Sequence, residues 1–464
     1  MNSTDSRESS AQVRLLTWLR SQDWLRSAYR ALPRSVREGA LQLLTRRLRA
    51  RTRFPRTAAW QAWQTRAAAP AARAVVADPS LPGVNILGYI HGQFGLAEAA
   101  RGYARALIDN RVPVALRDIN LDLPHAWDDH ALDAYIDNDV PHPVSIIFVN
   151  PDFLDRALQD IGKARLKGHY LIACWFWELE TLPDAWLPAL ELVDEIMVAT
   201  AFVEQAVRRV TDKPVLRVPM PLGTMEDSGL QRADFGLPEQ AFVFLVTFDF
   251  SSRMERKNPA AAIRAFRDAF PLERRDVRLL IKSSNGYRFP HWIKQIFDLA
   301  EGDDRIILRD DVIDREHLNA LQRCCDAYVS LHRAEGFGMG LAECMAIGKP
   351  VVATAWSGNM EFMDAESAAL VDFTFVPVGE GEYPGGEGQR WADADVAEAA
   401  SWMRRLADSP ASRVALGMAG LEHVKSKLSA PVAAARIIDR LKDLRARPVS
   451  DAAGQQHNEV RGLQ

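Results

Sequence analysis

Cysteine is scarce in this chain. Cys174, Cys324, Cys325 and Cys344 are the only four in 464 residues, no two of them spaced as CxxC and each in an apolar segment. That argues against a disulfide framework and fits reduced thiols in a cytosol. No apolar run approaches the roughly 20 residues of a membrane-spanning helix. Residues 1–12 lack the apolar stretch of a secretory signal. HExxH is absent, as is any cluster of Cys and His, so no metal and no other cofactor is expected. The net charge of −4 is too small to point to a partner, while the apolar share, 48%, is ample for sizeable cores. A chain of this length forms two or three domains.

The small net charge hides an uneven spread. Residues 14–66 carry thirteen arginines against Asp23 and Glu38 alone. Across residues 13–50 apolar side chains recur at helical spacing: Val13, Leu15, Leu16, Trp18, Leu19, Trp24 and Leu25, then Leu41, Leu43, Leu44 and Leu48. Pro33 divides them into two helices. Arginine-rich helices bearing tryptophan suit an anionic membrane interface. The alternatives are a helical extension packed on the body, and nucleic acid, whose phosphates arginine also binds. The favoured partner is an anionic membrane surface, engaged through residues 13–66, with no nucleic acid. That makes the expected location cytoplasmic and peripheral at the inner face of the plasma membrane.

Between its ends the chain alternates strand and helix. Strand-like runs fall at 84–90, 114–116, 144–149, 170–174, 195–199 and 213–218. A second set follows at 242–248, 277–282, 305–308, 327–331 and 351–354. Helical stretches lie among them, at 96–107, 260–269, 292–300, 315–323, 393–406 and 431–445. Such alternation predicts parallel, doubly wound sheets with helices on both faces. Pro219-Met-Pro221 and the turn-rich residues 223–240 mark a hinge. The expected division is a helical extension over 1–70, a first Rossmann-like domain over 80–222 and a second over 223–430. A terminal helix over 431–446 crosses back to the first domain, and 447–464 form a disordered tail.

The second half is organised around Glu335-Gly-Phe-Gly-Met-Gly-Leu-Ala-Glu343. Ligands of open parallel sheets bind at the carboxyl ends of strands, which is where this loop falls. Gly336, Gly338 and Gly340 let the backbone approach a ligand, and the following helix offers free N–H groups to an anion. The amides from Phe337 through Met339 to Leu341 are the candidate donors. Glu343, placed in the first turn of that helix, suits a ribose diol, which a carboxylate can accept twice over. Glu335, placed at the strand end, can reach hydroxyls of a ligand bound at the loop. In Asp249-Phe-Ser-Ser-Arg-Met-Glu-Arg256-Lys257, Arg256 can fork onto phosphate oxygens and Lys257 can act as a point charge. Preorganised cations of this kind stabilise negative charge that develops on phosphate oxygens. Asp393-Ala-Asp395 has the DxD form of a manganese site but opens a helix, so it is read as an N-cap.

In the first half, His91-Gly92-Gln-Phe-Gly95 is a glycine loop between strand and helix. Trp175-Phe-Trp177-Glu178 follows a strand end. Glu178 is a candidate to orient an acceptor hydroxyl or a donor hexose; the other reading is a buried, paired acid. Both tryptophans read as core. His332 and Asn359 are further candidates for donor contact, with structural roles as the alternative.

Taken together, these features resemble family 4 of the retaining glycosyltransferases. They are two Rossmann-like halves, a pair of glutamates with seven residues between them around a glycine loop, and an Arg-Lys pair after the second half's first strand. The resemblance covers roughly residues 84–446. It extends to Gly95-Leu-Ala-Glu-Ala-Ala-Arg101, Trp177-Glu-Leu, Glu255-Arg-Lys-Asn-Pro259, Leu331-His-Arg and Ser357-Gly-Asn359, and is strongest for bacterial polysaccharide enzymes that include mannosyltransferases. It implies an α/β GT-B fold whose domains face a cleft, the first for acceptor and the second for donor nucleotide. It implies a hexosyltransferase that moves a hexose such as mannose, with retention, from a nucleotide-diphosphate sugar to a polysaccharide or lipid-linked acceptor. Glu343 would bind ribose, Glu335 would lie near the sugar, Arg256 and Lys257 near the phosphates, and Gly92 and Gly95 near the donor phosphate and acceptor. This sequence departs from the family at two places. Trp175–Glu178 stand where many members have a histidine, and Arg253 is at a different spacing from the family's further arginine. The alternative reading is a non-catalytic sugar-nucleotide binding protein or a membrane-associated scaffold of a polysaccharide assembly complex.

Overall fold

The computed structural model describes residues 36, 50, 52–66, 75–123, 127–223 and 225–446. Apart from residues 36 and 50, the helices expected over 13–50 lie outside the described residues, as does the tail over 447–464. The end of the arginine-rich block does not. Phe54 and Trp60, the latter on helix α1 (Ala58–Arg66), are buried against Phe235 of the second half, and the Trp60 ring lies 4.3 Å from that of His317. Arg56 pairs with Asp311 at 2.8 Å. For this stretch the packing alternative describes the contacts, and Phe54 and Trp60 are turned inward rather than to a surface.

The strands are short and apolar on both faces, as strands covered by helices on each side must be. In the first half these are β1 (Val84–Gly88), β2 (Val114–Asp118), β3 (Val144–Phe148), β4 (Tyr170–Cys174), β5 (Glu195–Val198) and β6 (Val215–Arg217). Helices α2 (Gly95–Asp109), α3 (Pro151–Ile161) and α4 (Ala201–Arg208) cover them. All pairings are parallel, in the order β2-β1-β3-β4-β5-β6. The chain reverses its direction of winding between β1 and β3, and a crevice opens at such a switch point.

In the second half the strands are β7 (Phe242–Asp249), β8 (Val277–Ser284), β9 (Ile306–Asp310), β10 (Ala327–Ser330), β11 (Val351–Thr354) and β12 (Ala369–Val371). Helices α5 (Pro259–Ala269), α6 (Pro290–Ala300), α7 (Arg315–Cys324) and α8 (Met339–Ala346) connect them. The order β12-β11-β10-β7-β8-β9 is the dinucleotide-binding arrangement, with its switch point between β7 and β10. Local chemistry sets the connection after β7. Asn258 takes the left-handed conformation, ends the single turn Met254–Lys257, and caps α5 through Ala261 N–H, while Pro259 fills the first helical position.

Several elements differ from expectation. An antiparallel hairpin, β13 (Phe373–Pro377) and β14 (Arg390–Ala394), stands outside both sheets, joined by the glycine-rich residues 378–389. The helix expected from 393 begins later, as α9 (Val396–Asp408), because Asp393 belongs to β14. Asp395 is its N-cap, accepting from the amides of Ala397 and Glu398. Helix α10 (Pro410–Lys427) lies outside the stretches whose apolar spacing predicts a helix. Helix α11 (Ala430–Ala446) returns to the first half, burying Ala433, Ala434, Ile437 and Leu441, and its Arg440 grips Glu195 of β5 at 2.6 Å.

Candidate functional site

Loops at the carboxyl ends of the two sheets meet. Thr200 Oγ1 donates to the Gly336 carbonyl at 3.0 Å, and the Ala201 amide to Glu361 at 2.7 Å. Gly336 sits so close to the other half that a Cβ there would be 2.9 Å from the Trp177 carbonyl. A Cβ at Gly358 would be 2.2 Å from the Gly336 carbonyl. Glycine at these two positions is a packing requirement.

Between these contacts lies a row of charges drawn from both halves. Glu335 and His332 do not end a strand as expected. Strand β10 stops at Ser330, and both residues lie in the loop beyond it. The Glu335 carboxylate accepts from Lys257 Nζ on one oxygen and lies 3.2 Å from Arg256 Nη1 on the other. Burial raises its pKa, but Lys257 and then Arg256 overcome this and hold it at about 2, below its ordinary 4.5. Burial pushes the Lys257 ammonium down, against the pull of Glu335. The carboxylate gains more because it faces two cations, whereas Lys257 faces one carboxylate and a neighbouring guanidinium.

Arg256 departs from its expected exposure to a phosphate. Its guanidinium is buried, donates to the carbonyls of Ser252 and Ala334, and lies between Glu335 and Glu178, the latter at 3.6 Å. The fork is taken up by the protein itself. Glu178 is thus a paired acid at the domain interface, and its second oxygen accepts from Tyr383. Trp175 and Trp177 are buried, with the Trp177 indole N–H donating to the Thr181 carbonyl.

The glycine loop leads into α8 with Gly338 left-handed at φ 96°. Among the described residues no acceptor is recorded for the amides of Gly336, Phe337, Gly338, Met339 or Gly340; the first recorded donors are Leu341 and Ala342, both to the Gly338 carbonyl. Free amides at a helix start are what an anion or a sugar hydroxyl requires. Glu343 is in the second turn of α8 rather than the first, since the helix opens at Met339. It is buried, with one oxygen held by Arg315 and the other accepting from Gln322 Nε2 at 2.8 Å. Arg315 and Gln322 are seven apart on α7, two turns along one face, and that spacing was the signal for this pair. Arg315 also feels the charge of Glu98 on α2, across from the first half's glycine loop.

His332 and Asn359 hold one another. His332 Nε2 is 3.0 Å from Asn359 Oδ1, while Asn359 Nδ2 donates to the Thr354 carbonyl, and both residues are fully buried. Burial holds the imidazole below its ordinary pKa. These contacts favour the structural alternative for the pair. In the first half, buried Arg101 donates to the carbonyls of Ile90 and Gly92 at 2.7 Å and so braces the glycine loop. Gly95 opens α2, with free space where a side chain would stand.

Among the described residues, His91, His130 and Asp133 have ligand atoms within 4.8 Å of one another, but Asp133 already pairs with both rings, at 2.8 and 2.9 Å. An open pocket at the interface is lined by Phe202, Arg209, Trp356, Met360 and Glu361, and none of the charged row reaches it. No helix among the described residues is long and apolar enough to cross a membrane.

Residues 246–399, from within β7 to within α9, match the family model of glycosyl transferases group 1. No curated protein matches. Sucrose-phosphate synthase from Thermosynechococcus elongatus is similar in structure, at 17% identity and a TM-score of 0.55 over 78% of this chain and 99% of that one. Anabaena HepE, in complex with UDP and glucose, is similar at 14% identity and a TM-score of 0.56 over 78% of this chain and 100% of that one. A glycosyltransferase from Rickettsia africae is similar at 12% identity and a TM-score of 0.53 over 79% and 100%. The chain has the two-domain GT-B architecture, and its second half carries the match to glycosyl transferases group 1.

Proposed function

We propose that the protein is a retaining hexosyltransferase, moving a hexose from a nucleotide-diphosphate sugar to a hydroxyl of a glycan or lipid-linked acceptor. The observation that carries this reading is the Lys257–Glu335 pair at the β7/β10 switch point, beside a helix start whose amides have no recorded acceptor. Similar structures include one whose complex contains UDP and glucose, which makes a uridine donor the first to test. The family resemblance favours mannose in a polysaccharide pathway.

In this reading the pyrophosphate lies against the amides of Phe337 to Gly340. As the bond from the anomeric carbon to phosphate breaks, charge accumulates on the leaving oxygens, and Lys257 with the α8 dipole stabilises it. Lys257 must turn from Glu335 towards phosphate, which frees one oxygen of Glu335 for a hexose hydroxyl. Arg256 stays in place as the fixed counter-charge to both carboxylates. Glu343, held by Arg315 and Gln322, faces the ribose. The acceptor hydroxyl attacks on the face the phosphate leaves, and the leaving oxygen takes its proton.

Melting temperatures in UDP-, GDP-, ADP- and CMP-sugars identify the donor, because a ligand that binds only the folded chain raises the midpoint. Replacing Lys257 with Ala should then lower turnover on that donor by about 10²–10³, the usual worth of one charge-stabilising donor, without unfolding the protein. Turnover within threefold of the parent would remove Lys257 from the site.

A further inference from the structure

The hairpin outside the two sheets reaches from the second half onto the first. Gln389 exchanges both amide atoms with Thr181, accepting from its N–H at 3.1 Å and donating to its carbonyl at 3.2 Å. Arg390 lies 3.0 Å from Glu180. Gly385, left-handed at φ +63°, lies so close to Pro183 that an added Cβ would be 2.7 Å from its side chain. At the centre, the Tyr383 ring packs 5.5 Å from that of Trp177, and its hydroxyl donates to Glu178. The other Glu178 oxygen faces Arg256, whose far side faces Glu335.

The chain Tyr383–Glu178–Arg256–Glu335–Lys257 therefore crosses the interface in unbroken contact. Glu178 is a carboxylate of the first half whose recorded polar partners, Tyr383 and Arg256, both belong to the second. A carboxylate on a loop needs two anchors to hold one orientation, and here the hairpin supplies one of them.

We propose that this hairpin is an interdomain strap and that Tyr383 is a positioning residue. Through its hydroxyl it fixes Glu178 on Arg256, and thereby fixes the Arg256–Glu335 pair that the donor site uses. The assignment rests on the transfer reading above. Tyr383 touches no substrate in this scheme. Its effect passes through Glu178, so it appears in turnover rather than in donor affinity.

The test uses the full chain. Tyr383→Phe keeps the ring on Trp177 and removes only the hydroxyl. It should lower kcat about 10- to 100-fold, the range for losing a hydrogen bond to a charged group, with the donor KM within threefold. In a Glu178→Ala background the same change should cost less than twofold, because the two residues act as a unit; Glu178→Gln serves if the alanine variant does not fold. A kcat within twofold of the parent, or losses that multiply independently, would overturn the positioning role. Amide hydrogen exchange over residues 176–183 is read in the same proteins without any substrate. It should be at least tenfold faster in Gln389→Ala, and unchanged exchange would overturn the strap. A parent protein that turns over none of the nucleotide sugars sinks the transfer reading and the positioning role with it, and exchange then decides the strap alone.

Discussion

Replacing Glu335 with Gln tests the charged row most directly. The change keeps size and shape and removes the negative charge that separates Arg256 from Lys257. In the folded chain the carboxyl titrates at about 2, against an ordinary 4.5. At about 1.4 kcal/mol per unit, the charged form contributes on the order of 3 kcal/mol to folding near neutral pH. The group's pKa is depressed, so its contribution is fully present above the unfolded value near 4.5 and is lost as pH falls towards about 2. The glutamine variant should therefore be about 3 kcal/mol less stable than the parent at pH 7, the order found when one member of a buried pair is removed. The gap should narrow by roughly 1 kcal/mol by pH 3.5. Urea unfolding at both pH values measures it, with tryptophan emission and circular dichroism compared because two domains need not unfold together. Equal stability at pH 7, or a gap that does not change with pH, would refute the buried pairing. Turnover should also fall by at least 10² if the hexose hydroxyls depend on this carboxylate.

Gly358→Ala should disturb the glycine loop from outside it, since the new methyl would fall 2.2 Å from the Gly336 carbonyl. A rise in donor KM of tenfold or more is expected, and unchanged KM would show that the loop yields freely. Trp60→Ala should cost about 3–5 kcal/mol in the unfolding transition, as for other buried aromatics; a loss below about 1 kcal/mol would mean the extension is not part of the core. His332 is held neutral by burial, so its folded pKa lies below the ordinary 6.5. Its contribution is present above that value and is lost as pH falls below it. His332→Asn should make the melting temperature flatter between pH 8 and pH 5, and parallel curves would contradict this.

The alternation of the sheets was legible because parallel strands buried on both faces leave largely apolar runs, as at Val144–Phe148 and Val351–Thr354. What eluded pattern reading was set by contacts distant in sequence. Phe373–Pro377 has only exposed and half-buried positions because it pairs with Arg390–Ala394 outside both sheets, and nothing in either run announces the other. The two glutamates of the glycine loop were visible as a pair, yet their surroundings were not. Whether Arg256 is open or enclosed depends on Glu178, 78 residues earlier in the chain, and on Tyr383 from the hairpin. Asn359 looked like a loop residue because Ser-Gly-Asn is turn chemistry, but the turn folds inward onto His332.

Helix α11 has a consequence for how the cleft can move. The chain passes from the first half to the second after Leu222 and returns before Ala430, and the two passages touch, with Leu222 N–H donating to the Leu428 carbonyl at 3.0 Å. A single connection would act as a tether and leave three rotations free. Two adjacent connections act as the pins of a door, so opening and closing reduce to a swing about one line. The strap lies away from those pins, between residues 177–183 and 383–390, and serves as the latch.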